Sequence, residues 1–323
     1  MIDSMAKFMS SDRTPKWLVD GVIQEGALTM LFGESGVGKS FTALDWALCV
    51  ATGQNWMGRP VAQGPVLYLP SEGYDGLQAR IYAWCLKHGI STDEIADIPL
   101  HIGSFAMAIG HEGEFLEMME EIDFIQPPPV LVVIDTLTGF SDGLDQNSSK
   151  DMATFASSCS RINTRTDATI LVVHHSGHKE KGRSKGAVDF WAACDTVAAM
   201  VRSGRDGALA IRCNKSRNGP PFDDIHMKLE TCEPSAVLVE ASAPAINEKS
   251  ALTKGDRVFR DIVTSAPISE ADAKARFNEV YGGSPGANRN AWSRALKKAI
   301  SAELIDFDSE TGSLSPRTHT THN

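Results

Sequence analysis

No two cysteines of this 323-residue chain stand in CxxC spacing. The six it has, Cys49, Cys85, Cys159, Cys194, Cys213 and Cys232, are scattered, most of them inside apolar runs. That pattern argues against a zinc site or a disulfide framework and for buried reduced thiols. No apolar run approaches the length of a membrane span, and the opening MIDSMAKFMSSDRTPKW lacks the apolar region of a secretory leader. A cytoplasmic protein with no membrane partner is expected. Positive charge is scarce: 31 Lys and Arg face 41 Asp and Glu, a net charge of −10. A bulk, sequence-independent grip on DNA is therefore disfavoured, although a ring that holds one strand through a few channel residues is not. The chain has no internal repeat. It does have 42% apolar residues, enough for one large core and a smaller second domain.

Short apolar runs alternate with helical spacing along most of the chain. Strands are predicted at 28–32, 66–69, 100–102, 130–134, 169–173, 194–201 and 208–213, with a terminal hairpin at 225–229 and 236–240. Helices are predicted at 41–51, 76–87, 113–122 and 149–163. Continuous apolar strands alternating with helices imply an α/β fold with a mostly parallel sheet covered on both faces. Residues 1–16 read as a flexible tail, 17–241 as the main domain and 242–254, rich in Ala, Ser, Pro and Lys, as a linker. Three helical stretches (256–264, 269–280, 288–302) and a small hairpin (304–307 with 313–314) then suggest a winged-helix-like domain at 255–315. Trp292 and Leu296 fall on its core face, and 316–323 read as a disordered tail. The stretch 249–298 is locally basic on an otherwise acidic chain.

The chemistry begins at GESGVGKS, residues 33–40. The spacing GxxxxGK[ST] has meaning between a strand and a helix, and both flank it here. Its glycines turn backbone N–H groups inward around phosphates, and the helix that follows points its positive end at the same anion. The segment expected to hold a nucleoside triphosphate is Gly33, Glu34, Ser35, Gly36, Val37, Gly38, Lys39, Ser40 and the adjoining Phe41. Lys39 would reach the β- and γ-phosphates, and the Ser40 hydroxyl would ligate Mg²⁺. VLVVIDT delivers Asp135 to a strand's carboxyl end, where it would complete the Mg²⁺ shell. Only one acid stands there, so the general base must come from elsewhere. Glu72, which ends VLYLPSE, is the candidate. The pair His174-His175 ends another strand. One of them is expected to sense the γ-phosphate, and the alternation of the strand assigns His174 to the core.

The order Walker A, Glu, VVIDT, HH, a basic glycine loop and NKSRNGP resembles the RecA-type core of hexameric replicative helicases of the DnaB family. Within it the pattern is most similar to the compact RepA-like plasmid and phage ATPases, P-loop NTPases of the AAA family. The resemblance spans about residues 17–240. It implies a RecA-like fold, ATP and Mg²⁺ as ligands, and catalytic roles for Lys39, Glu72, Asp135 and His175. It further implies that Lys215 and Arg217 reach into the neighbouring subunit's site, and that Asp195 is structural. The loop of Lys179, Lys181, Arg183 and Lys185 would meet single-stranded DNA in the ring's channel; it has no aromatic residue for base stacking. A homo-oligomer, a hexamer by analogy, would then translocate on single-stranded DNA, with replication proteins as partners of the C-terminal domain. That domain lies outside the resemblance, and no primase or exonuclease signature appears. Two alternatives stay open: a recombination or repair ATPase that does not unwind, and a regulatory or loader ATPase that acts on proteins.

Overall fold

The computed structural model describes residues 4–10, 14–103, 109–175, 188–203, 207–242, 254–263, 267–301, 305–308 and 311–316. Two compact units divide the chain, Met1–Pro244 and Ala245–Asn323. No described helix is long and apolar enough to cross a membrane.

The first unit opens with α1 (Met5–Ser10), inside the stretch expected to be a flexible tail, and a small antiparallel pair, β1 (Trp17–Val19) and β2 (Ile23–Gln24). The elements that build the large sheet follow. They are β3 (Leu28–Gly33), α2 (Lys39–Thr52), β4 (Val66–Pro70), α3 (Leu77–Lys87), the one-turn α4 (Thr92–Ile95), β5 (Leu100–Ile102), α5 (Glu112–Asp123), β6 (Leu131–Asp135), the one-turn α6 (Leu137–Phe140), α7 (Ser149–Thr166), β7 (Thr169–His175), α8 (Val188–Ala193), β8 (Thr196–Arg202), β9 (Leu209–Ser216), β10 (Ile225–Cys232) and β11 (Ser235–Glu240). The spatial order is β11-β10-β9-β8-β3-β7-β6-β4-β5. Strands β8, β3, β7, β6, β4 and β5 run parallel, and β9, β10 and β11 are added antiparallel at one edge.

Strand β3 reads LTMLFG because both of its faces are covered, and only its first residue is partly accessible. One face packs under α2 and α3 around Trp46, Trp56, Tyr68 and Trp84; the other packs under α5, α7 and α8 around Phe32, Phe115, Phe155 and Phe190. Local chemistry sets the helix ends. Ser148 caps α7 by accepting from the Asp151 N–H. Helix α2 stops at Gly53, whose left-handed backbone donates its N–H to the Cys49 carbonyl. All six cysteines are free; Cys49, Cys85, Cys159 and Cys194 are buried.

The second unit contains α9 (Lys254–Val263), β12 (Ile268–Ser269), α10 (Glu270–Tyr281), α11 (Pro285–Ser301), β13 (Ile305–Asp308) and β14 (Ser313–Pro316). Its three strands lie in the order β12-β14-β13, all antiparallel. Phe259, Phe277, Trp292 and Leu314 form its core, and Leu296 is half-buried against it.

Candidate functional site

The register of the sheet brings four strand ends together. Gly33 pairs with His175, Asp135 with Val173, and Pro70 with Asp135. The residues just past these ends therefore gather at the carboxyl edge, where open α/β sheets bind their ligands.

Two glycines explain the loop there. A side chain at Gly33 would collide with the Met200 carbonyl of β8, so the strand can turn only without a Cβ. Gly38 has φ of 95°, a left-handed value that L side chains rarely adopt, and it starts α2 directly on Lys39. Arg202 at the end of β8 donates to the Gly36 carbonyl at 3.1 Å. With that carbonyl engaged by Arg202, the loop's N–H groups remain for an anion.

Lys39 is only 4% exposed. Its ammonium donates to the carbonyls of Gly33 (3.1 Å) and Glu34 (2.9 Å) and sits 3.1 Å from His175 Nδ1. Burial pulls its pKa down, and the charges of Asp135 and Glu72 oppose that shift. Burial, followed by the Lys39 charge, also lowers the pKa of His175. The imidazole is thereby kept neutral at physiological pH, with Nδ1 free to accept from the ammonium. His174 is buried in the strand, while His175 is half-buried and faces the lysine.

Ser40 Oγ donates to Asp135 Oδ1 at 3.2 Å, and the Tyr68 hydroxyl donates to Asp135 Oδ2 at 2.6 Å. Burial raises the Asp135 pKa. The hydrogen bonds from Tyr68 and Ser40, and the charges of Lys39 and Arg80, pull it back. This donor set suits Mg²⁺, which binds one or two protein oxygens and takes the rest of its shell from water and phosphate. Among the described residues no cluster of three or more His, Cys, Asp or Glu competes as a metal cage. Glu72 is exposed beyond the end of β4, and its charge bears on both Lys39 and His175.

Three residues at this edge escaped the sequence reading. Ser71 joins the ends of β4 and β6: its N–H donates to the Asp135 carbonyl at 2.6 Å and its Oγ accepts from the Thr136 N–H at 2.9 Å. Arg80 on α3 lies over the Phe41 ring, 4.8 Å from its centroid, and holds down the Asp135 pKa. Its signal was available, since it is a cation near the start of the helix that follows the Glu72 loop. Tyr68, on a fully buried strand, gave no signal.

Lys215 and Arg217 lie elsewhere. They belong to the end of β9, whose Ser216 pairs with Thr196 at the start of β8, and Thr196 pairs with Thr29 near the start of β3. Lys215 Nζ donates to the carbonyls of Trp191 (3.0 Å), Ala192 (2.9 Å) and Cys194 (2.6 Å). Arg217 pairs with Asp195 at 2.7 Å and donates to the Ala192 carbonyl at 2.8 Å. Asp195 also accepts from the Leu28 N–H at 3.0 Å, which ties this end of the sheet together. Burial, then the Arg217 charge, lowers the Lys215 pKa. Lys179, Lys181, Arg183 and Lys185 lie outside the described residues.

The profile of the family described as "AAA domain" matches residues 2–181. No curated protein matches the chain in sequence. Among solved structures, the ATPase domain of a phage DnaB-type replicative helicase superposes with a TM-score of 0.51 at 12% identity, covering 73% of this chain and 95% of that one. At that identity the likeness is one of fold, and it extends the match past residue 181 into the remaining strands of the sheet.

Proposed function

Because the chain belongs to the AAA-domain family of P-loop NTPases, we propose that it is an ATP-dependent DNA helicase, whose identical copies form a ring, a hexamer by its resemblance to DnaB-type motors. It moves along single-stranded DNA in the replication of a phage, plasmid or related element. One observation carries this reading: the two cationic clusters sit at opposite ends of the same strands. Five residue steps separate Leu28, beside Asp195 and Arg217, from Gly33 at the phosphate loop, roughly 16 Å along a strand. An arginine side chain does not span that distance, so Arg217 can serve a triphosphate only in another copy. Head-to-tail contacts of this kind close into rings.

Within one copy, the loop N–H groups cradle the phosphates and Lys39 exchanges its carbonyl acceptors for phosphate oxygens. Ser40 and Asp135 are the protein oxygens that would hold Mg²⁺, an ion that neutralises phosphate charge. Glu72 accepts a proton from water as the water oxygen bonds to the γ-phosphorus and the bond to the β-phosphate bridging oxygen breaks. Lys215 and Arg217 of the adjoining copy stabilise the charge that develops. His175 contacts Lys39 on one side and begins the stretch 176–187 on the other. It therefore links the phosphate site to Lys179, Lys181, Arg183 and Lys185, which we assign to the DNA strand. The second unit, winged-helix-like in its order of helices and hairpin, brings a partner to the motor.

The test is particle mass with nucleotide, with and without an oligonucleotide, followed by strand displacement on a forked duplex. A ring, turnover stimulated by single-stranded DNA, and displacement are expected. A monomer that turns over ATP at full speed ends this reading. Stimulation without displacement moves the chain to the recombination and repair ATPases. Turnover indifferent to single-stranded DNA moves it to the regulatory or loader ATPases that act on proteins.

A further inference from the structure

In a chain with 41 Asp and Glu, none falls between Glu279 and Glu303, a stretch that contains Arg289, Arg294, Lys297 and Lys298. Helix α11, PGANRNAWSRALKKAIS, occupies most of it. Its buried side is Asn288, Ala291, Trp292, Ala295 and Ala299. The opposite side exposes Arg289, Asn290, Ser293, Arg294 and Lys297, spaced so that all five share one stripe. None of the three cations forms an ion pair with a described acidic residue. Up to Lys297 the stripe has no large apolar side chain of the kind that anchors protein interfaces.

The helix is also held firmly. Helix α10 ends at left-handed Gly282, and α11 starts three residues later. Asn288, 6% exposed, fills the turn: its Nδ2 donates to the Asn278 carbonyl at 3.5 Å, and a side chain at Gly283 would collide with its Oδ1. Trp292 locks the buried side against Phe259 and Phe277. A short turn between two helices that share one core is the arrangement that presents a second helix to DNA.

We propose that the exposed stripe of α11 binds duplex DNA in the major groove. The groove is about 12 Å wide and admits one helix. Arginine suits the guanine edge and asparagine the adenine edge, while lysine and serine suit phosphate. Hairpin β13–β14 exposes Asp306 and Asp308, which repel the backbone, so the grip comes from the helix. This site is independent of the motor reading and needs no nucleotide.

The experiment is anisotropy titration of the full chain with a short labelled duplex across a salt series, without nucleotide. Wild-type protein is expected to bind with a steep salt dependence. The variant Arg289→Gln/Arg294→Gln/Lys297→Gln, whose glutamines keep helix propensity, is expected to bind at least ~10-fold more weakly. Its salt slope should be shallower by about 2.7, three times ~0.9 per lost phosphate contact, with ATP turnover unchanged. If the triple variant does not fold, Lys297→Gln alone should make the slope shallower by about 0.9. Unaltered affinity and slope in the variant overturn the proposal. So does a wild-type chain that holds no duplex at low salt, which would leave the stripe to an acidic protein surface.

Discussion

Lys39 and Lys215 both sit among backbone carbonyls and both have pKa values lowered by burial, yet the two ends of the sheet they occupy differ in what else is near. Around Lys39 stand a neutral imidazole, two carboxylates and a glycine loop with N–H groups to spare, so the end is equipped for an anion within its own chain. Around Lys215 the acceptors are carbonyls that close a helix, and its companion Arg217 keeps 48% of its side chain exposed beside Asp195. A buried cation whose counter-charges come from its own chain belongs to a complete half-site. A partly exposed guanidinium held ready by one aspartate belongs to the half that needs a neighbour.

Four substitutions sharpen or break this contrast. Lys39→Ala should abolish turnover, and near-normal hydrolysis would remove the phosphate assignment of the carboxyl edge. Arg217→Ala should lower kcat by about 10³-fold or more, the usual worth of an arginine at the transferring phosphate, while nucleotide binding is retained. Mixing it with Glu72→Ala protein should restore part of the rate, because some seams then contain both intact halves. A rate that stays flat at every ratio would mean that the two ends never meet. Arg80→Ala should raise the nucleotide KM about tenfold, on the order of one charge-assisted contact, without changing oligomer mass. Tyr68→Phe has the smallest expected effect. It removes a donor that lowers the Asp135 pKa, so the carboxyl holds its proton to higher pH and the acid limb of the pH–rate profile should move upward. A limb that stays in place would detach Asp135 from catalysis.

Much of the carboxyl edge was legible in the sequence because its pieces are local. A glycine loop between strand and helix, an acid ending an apolar run and a histidine pair each announce themselves within eight residues. Strand boundaries were also close, with β3, β4, β5 and β6 each within one residue of expectation. Helix α8 and the short pair β1–β2 were not anticipated, since six- and two-residue elements give too little periodicity to register. Ser71 and Tyr68 were invisible because their importance lies in Asp135, more than sixty residues away in the chain.

The amino-acid order alone determined that this chain folds around a phosphate loop, because that motif's geometry is encoded in consecutive residues whose backbone freedom and charge act over a few ångströms. Only the tertiary structure decided which end of the sheet each cation occupies. Strand register and direction follow from packing of both faces at once, and that packing sets Arg217 beside Leu28 and Lys39 beside His175. The same reason applies to α11: its composition is readable in the sequence, but which of its sides faces water was decided by Phe259, Phe277 and Trp292 closing a core.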